Sequence, residues 1–201
     1  MKYPSFLLEY HTLQNYSALA GIDEVGRGCL FGPVVAGIAV ISDEKHYIHG
    51  VRDSKTLSEK QRVKLSSTLK ETLPAYGIGE ASAREIDIYG IRKATQLAMM
   101  RAYWQLKVQP DIILMDGEKA TIPFLGKTFQ FTKGDLNHYS IAAASVLAKV
   151  YRDDLITRLH EEYPEYGLSS NKGYGTSIHV EALRKLGATE LHRKSFLSFL
   201  S

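Results

Sequence analysis

The chain has a single cysteine, Cys29, which excludes an internal disulfide and a cysteine-rich zinc site. A reducing, cytoplasmic setting is therefore expected. Long apolar runs are missing as well. The longest, Cys29 to Ile41, is interrupted by Gly32, Pro33 and Gly37 and is too short to span a bilayer. No membrane association is expected. The opening segment MKYPSFLLEY has a lysine but no extended apolar stretch, so no secretory signal is read there. Repeats, low-complexity tracts and Pro/Ser-rich linkers are absent, leaving residues 1–201 without a visible domain boundary. The seven histidines are scattered without metal-ligand spacing. Charge is nearly balanced: net +3, with a pI near 8.8. That permits a polyanionic partner without demanding one.

What is present suits a globular protein, with 44% apolar and 23% charged residues over 201 positions. Chain length is enough to bury a real core. Strands are predicted at about 19–25, 33–42 and 75–82, with a charged helix before the third, started by Ser58 and Glu59. A helix is predicted over 91–107. The run PDIILMDG reads as a buried strand meeting a loop, and KTFQFTK as a further strand. After Leu136 the pattern is helical in pieces, broken by EEYPEYGLSSNKGYGT, so residues 152–201 form a helical C-terminal portion. The pattern predicts an α/β protein, a mixed sheet with helices packed on it.

Within GIDEVGRGCLFGPVVAGIAV, two acids are followed by Gly-Arg-Gly. A dinucleotide-binding glycine loop needs a helix after the turn, and here PVVAGIAVI is a strand. That reading falls. Asp23 and Glu24 end the first strand, where neighbouring side chains face opposite ways, so both serve one site only if the chain bends at Gly26 and Gly28. Asp116 ends a second apolar strand, and Asp135 lies where a strand meets the helix SIAAASVLAKV. Taken singly, Asp116 reads as a turn residue and Asp135 as a helix cap. Together the acids would repel one another unless a cation joined them, and oxygen-only ligands favour Mg2+ or Mn2+ over zinc.

Those segments resemble bacterial ribonuclease HII, of the ribonuclease H-like superfamily. GIDEVGRG, GPVVAG, DSKTLS at 53–58, LMDG at 114–117, KGD at 133–135, SIAAASVLAKVYRD at 140–153, NKGYGT at 171–176 and HRKSF at 192–196 come in family order. The sister type, ribonuclease HIII, is disfavoured by the Gly-Arg-Gly form and by the lack of a long extra N-terminal domain. The resemblance implies an RNase H-like mixed five-stranded sheet flanked by helices, with a helical C-terminal part in a single catalytic domain. It implies cleavage of RNA/DNA hybrids and of single ribonucleotides in duplex DNA, 5′ of the ribonucleotide, by two-metal-ion catalysis. Carried over by motif, Asp23, Glu24, Asp116 and Asp135 are the catalytic metal ligands. Asp153 is a rival for the fourth acid, but its place suits a structural ion pair.

For substrate, the resemblance assigns Gly26, Arg27, Gly28 and Tyr174 to the ribose 2′-hydroxyl, and Lys55, Lys172, Arg193 and Lys194 to phosphates. Lys172 and Lys194 read equally as solvated surface charges. His179 and His192 are expected to be structural, and a monomer is expected. Cys29 and Phe31 stand where proline and alanine are expected, Gly90 where asparagine is common, and Asn171 where histidine is frequent. Two other readings stay open at this point: a DEDD-type 3′–5′ exonuclease, and a nucleic-acid-binding module without catalysis. The exonuclease spaces its two acids one residue apart, and here they are adjacent.

Overall fold

A computed structural model describes residues 3–117 and 127–200. Its sheet has five strands: β1 (Leu19–Val25), β2 (Val34–Ile41), β3 (Tyr76–Ala81), β4 (Ile112–Asp116) and β5 (Lys127–Phe131), in the order β3-β2-β1-β4-β5. β1 and β2 are antiparallel, as are β2 and β3, whereas β4 runs parallel to both β1 and β5. The sheet is therefore mixed, as the sequence pattern predicts. Every β2 residue is buried, which explains its unbroken apolar sequence, since helices cover both faces.

Among the described residues, eight α-helices accompany the strands: α1 (Leu7–Leu13), α2 (Glu59–Thr72), α3 (Ala83–Tyr89), α4 (Ile91–Trp104), α5 (Gly134–Asn137), α6 (Tyr139–Glu162), α7 (Leu168–Asn171) and α8 (Ser177–Leu186). On one face, Ala20, Ile22, Ile38, Ile113 and Met115 pack with Ala94, Ala98, Met99 and Ala102 of α4. On the other, Leu19, Ala39, Ile41 and Leu114 pack with Ile141 to Ala144, Val146 and Leu147 of α6. The alternation of side chains along β1 and β4 makes this division. Among the described residues, no helix is long and apolar enough to cross a membrane.

Helix α6 backs the strand that carries Asp23, and its seat explains its sequence. A Cβ at Gly21 would run into the backbone of Ser140 and Ile141, so glycine lets the helix lie directly on β1. The alanines of SIAAAS complete that close contact, as a packing role requires. No side chain of its own caps α6; instead the buried Glu9 of α1 accepts from Ser140 N–H at 2.9 Å and from its hydroxyl at 2.8 Å. α2 begins at Ser58 as predicted, through a capping box with Gln61.

Two differences from the sequence pattern have local causes. The helix predicted to 107 ends at Trp104, and Gln105 leaves it to bond both Ile78 N–H and Ile78 C=O on the β3 edge. The short α3, not foreseen, is set by a capping box between Ser82 and Glu85. A third cluster lies under the C-terminal portion, where Leu30 and Phe31 meet Ile156, Tyr166, Leu168 and Leu183.

Candidate active site

β1 and β4 are parallel neighbours, so their C-terminal ends open at the same edge of the sheet. Asp23 and Asp116 both continue the α6-facing register of their strands, Asp23 two residues after Gly21 and Asp116 two after Leu114. Asp135 reaches the same place from α5, just past the end of β5. One carboxylate oxygen from each of Asp23, Asp116 and Asp135 lies within 4.8 Å of the others. Asp23 and Asp135 are buried, with Asp116 partly so.

Each acid is held in place. Asp116 accepts from Gly134 N–H at 2.7 Å, which ties β4 to the start of α5. Asp23 accepts from the backbone N–H of Glu24 at 2.8 Å and from the Ser145 side chain on α6. Ser145 is in turn 3.0 Å from the hydroxyl of Ser54, linking the Asp53–Thr56 turn to the site. Burial, then repulsion from Glu24, Asp116 and Asp135, pushes the Asp23 carboxyl well above its ordinary range. Asp135 is raised too, by burial first and then by Asp116 and Asp53. Among the described residues, Lys55 is the cation paired with Asp135, 3.9 Å away and 81% exposed, too solvated to neutralise three acids. Such a cradle fits a hard divalent cation: its donors are all oxygens, and they are destabilised in the absence of positive charge.

Glu24 stands apart from this trio. It follows Asp23 on β1, and Arg27 Nη1 donates to its Oε1 at 3.0 Å. Burial raises its carboxyl, with Arg27 opposing and with Asp116 of the trio adding to the rise. Asp153 is also elsewhere: it pairs with Lys149 at 2.8 Å and Arg62 at 3.6 Å, the structural ion pair expected of it.

The sequence matches the family model for ribonuclease HII over residues 20–199. The chain belongs to the ribonuclease HII family. A relative of that name from Prochlorococcus marinus (strain NATL2A) is 53% identical over 188 residues, covering 92% of this chain and 96% of its own. Among solved structures, the ribonuclease H2 from Pyrococcus horikoshii OT3 superimposes with a TM-score of 0.75 at 30% identity, covering 89% of this chain and 93% of that one. The structure titled Bst-RNase HIII in complex with Mn2+ shares the fold, with a TM-score of 0.69 at 20% identity over 90% of this chain and 64% of that one. Membership makes the chain a nuclease hydrolase of the ribonuclease H kind, acting on nucleic acid. The exonuclease and the non-catalytic module fall away.

The family's Gly-Arg-Gly turn is built here from below. Gly26 has φ +85, and a Cβ there would strike the Arg152 guanidinium. Arg152, fully buried, donates to the carbonyls of Pro33 at 3.1 Å, Lys172 at 2.8 Å and Phe31 at 3.0 Å. Arg193 is fully buried as well, donating to Gly32 O at 2.9 Å and Arg27 O at 2.8 Å. This corrects the phosphate-facing position expected of Arg193: the side chain is buried, with Nε and Nη1 on carbonyls of the turn. Burial lowers it to a pKa of about 10. Lys172 holds Thr157 at 2.8 Å, while the backbone of Lys194 is anchored to Asp87 at 3.0 Å.

Tyr174, 41% exposed, sits on the neighbouring loop, which Gly173 O joins to Leu30 N–H at 2.8 Å. Buried Cys29 lies against this loop, its thiol donating to the Lys172 carbonyl at 3.8 Å. Phe31 fills the space between His192 and Tyr163, at 4.9 and 5.8 Å between ring centroids. Of the residues departing from the family pattern, Cys29 and Phe31 therefore pack beneath the turn, whereas Gly90 lies apart, between α3 and α4. Asn171 shapes the loop by accepting from Gly173 N–H through its side chain and from Tyr174 N–H through its carbonyl. Sequence reasoning missed Arg152 and Ser145, although both lie inside the family segment SIAAASVLAKVYRD. Their neighbours Asp153 and the alanines drew attention as an ion pair and a packing face.

Proposed function

We propose that this chain is an endonuclease that hydrolyses the RNA strand of RNA/DNA hybrids and cuts 5′ of single ribonucleotides embedded in duplex DNA, leaving 3′-hydroxyl and 5′-phosphate ends. The observation that carries the reading is the convergence of Asp23, Asp116 and Asp135 within 4.8 Å at the open edge of the sheet. Asp23, Asp116 and Asp135 would hold Mg2+ or Mn2+, and Glu24, adjacent on β1, is the fourth acid. Bound there, divalent ions acidify water and neutralise charge on the phosphodiester.

The chain's own residues orient the substrate. Backbone groups of Gly26, Arg27 and Gly28 meet the ribose 2′-hydroxyl, which glycine permits by leaving the approach open. Tyr174 lays its ring on the sugar and directs its hydroxyl to the same group. Two supports favour this pairing: the turn and the Tyr174 loop are bonded to each other, and Arg152 and Arg193 hold their carbonyls from inside. Lys55 and Lys172 contact phosphates, and Arg193 acts on substrate only through the turn.

The test is cleavage of an end-blocked duplex carrying one ribonucleotide, in Mg2+ or Mn2+, with product ends mapped. A cut 5′ of the ribonucleotide with a free 3′-hydroxyl is expected, and Asp23→Asn should abolish it while duplex binding persists. Full activity in that variant, or a cyclic phosphate product, overturns the reading.

A further inference from the structure

Beneath the Tyr174 loop lies a hydrogen-bonded pair of histidines whose direction is set from both ends. At one end, Nδ1 of His192 accepts from the backbone N–H of Thr189 at 3.0 Å, so that nitrogen carries no proton. The proton of the neutral ring is then on Nε2, which faces Nε2 of His179 at 3.1 Å. At the other end, Nδ1 of His179 lies 2.9 Å from the Tyr174 carbonyl. A carbonyl only accepts, so Nδ1 of His179 carries the proton and its Nε2 the lone pair. Both ends demand the same chain: His192 donates to His179, and His179 donates to Tyr174.

The surroundings keep both rings neutral. Their exposures are 0% and 1%, and the Tyr166 ring covers His192 at 4.8 Å and His179 at 6.1 Å. The Tyr166 hydroxyl turns away to Gly187 O at 2.8 Å, and Phe31 closes the side toward the Gly-Arg-Gly turn. A second proton on either ring would set two donors face to face.

We infer that His179 and His192 are positioning residues for ribonucleotide recognition, holding the Tyr174 main chain so that its side chain meets the ribose. The inference rests on the proposed contact of Tyr174 with the sugar. Glycines flank that tyrosine on both sides, so its direction depends on what fixes its own peptide group. Its carbonyl has two donors, Thr176 N–H at 2.8 Å and the His179 ring. His179 also ties the loop to α8, since Thr176 caps that helix by accepting from His179 N–H.

Two-bond 15N–1H correlation spectra of the labelled full chain at pH 7 read the tautomers directly. We expect His179 as the Nδ1–H form and His192 as the Nε2–H form; the opposite tautomer or a charged ring at either site overturns the inference. Cleavage kinetics supply the second arm. His179→Asn keeps an amide donor near the Nδ1 position, whereas His179→Leu removes it. On the single-ribonucleotide duplex, His179→Leu should lose about tenfold or more in kcat/KM, as displacement of a contact group does, with His179→Asn recovering most of the loss. Both are assayed where circular dichroism shows them folded. Equal behaviour of the two variants overturns the inference. Tyr174→Phe separates the two levels. An unimpaired Tyr174→Phe removes the reading of Tyr174, whereas an impaired one beside an unimpaired His179→Leu removes only the role of the histidines.

Discussion

Arg152 Nη1 donates to the backbone carbonyl of Lys172 at 2.8 Å, so the helix packed on the strand of Asp23 also holds the loop that carries Tyr174. The same guanidinium holds Phe31 and Pro33, on the far side of the Gly-Arg-Gly turn. One side chain thus joins two segments that lie about 140 residues apart along the chain (31–33 and 172).

Replacing Arg152 with methionine keeps the stem and strands three buried carbonyls. We expect a loss of about 3 kcal/mol or more, since each unmade buried bond costs about 1–3 kcal/mol. Arg152→Lys should recover only part, because an ammonium lacks the planar fork. Urea titration of both variants measures this; an Arg152→Met chain as stable as the parent would show that the three bonds carry no weight.

Asp23 is expected to cost stability when no cation is bound. Its carboxyl is raised, so the folded state prefers it protonated: stability is greatest below the ordinary carboxylate pKa and falls as pH rises from there through the raised value. At pH 7 in EDTA, Asp23→Asn should therefore melt higher than the parent. Adding Mn2+ should raise the parent's melting temperature and move the variant much less. Thermal melts with and without Mn2+ decide it, and a lower Asp23→Asn melting point in EDTA would count against the repulsion.

His192 has the opposite pH dependence from Asp23. Burial, then the neighbouring His179, lowers it from 6.5 to about 4. Its folded pKa is below the unfolded one, so stability is complete above about 6.5 and is lost as pH falls from 6.5 to 4. We expect the unfolding midpoint to drop across that window, and the drop to shrink in His192→Gln. A midpoint that stays flat between those pH values would contradict a buried neutral ring.

Gly21→Ala should be severe for a small change. The added carbon meets backbone of α6 and not a movable side chain, so the helix must shift from β1. A loss of about 3 kcal/mol is expected, at the upper end for overpacking, together with reduced cleavage as Ser145 leaves Asp23. Melting temperature and activity on the single-ribonucleotide duplex check it.

Much of this arrangement was legible in the chain itself. Local chemistry is enough to end β1 at Asp23 and Glu24, to mark Asp116 as a strand-end acid, and to start α2 at Ser58. These features depend on neighbours a few residues away, and their signals lie in short stretches. The motifs also carried the family, because they succeed one another in order along most of the chain. Harder to read were α3, hidden in a short capped segment, and the end of α4, where Gln105 prefers a strand edge to another helical turn.

Which acids meet was decided by the sheet. Asp23 and Glu24 are adjacent carboxylic acids, yet strand alternation sends Asp23 to the α6 face with Asp116, while Glu24 pairs with Arg27. Only parallel pairing of β4 with β1 brings the first pair together, and no local signal specifies that pairing. Arg152 and Arg193 make the same point. In sequence they are cations beside other charges; in the fold they are sealed under a turn whose carbonyls come from far away. Residue type and local spacing determine what each group can do, and long-range packing decides whether water, a carbonyl or a second carboxylate is there to meet it.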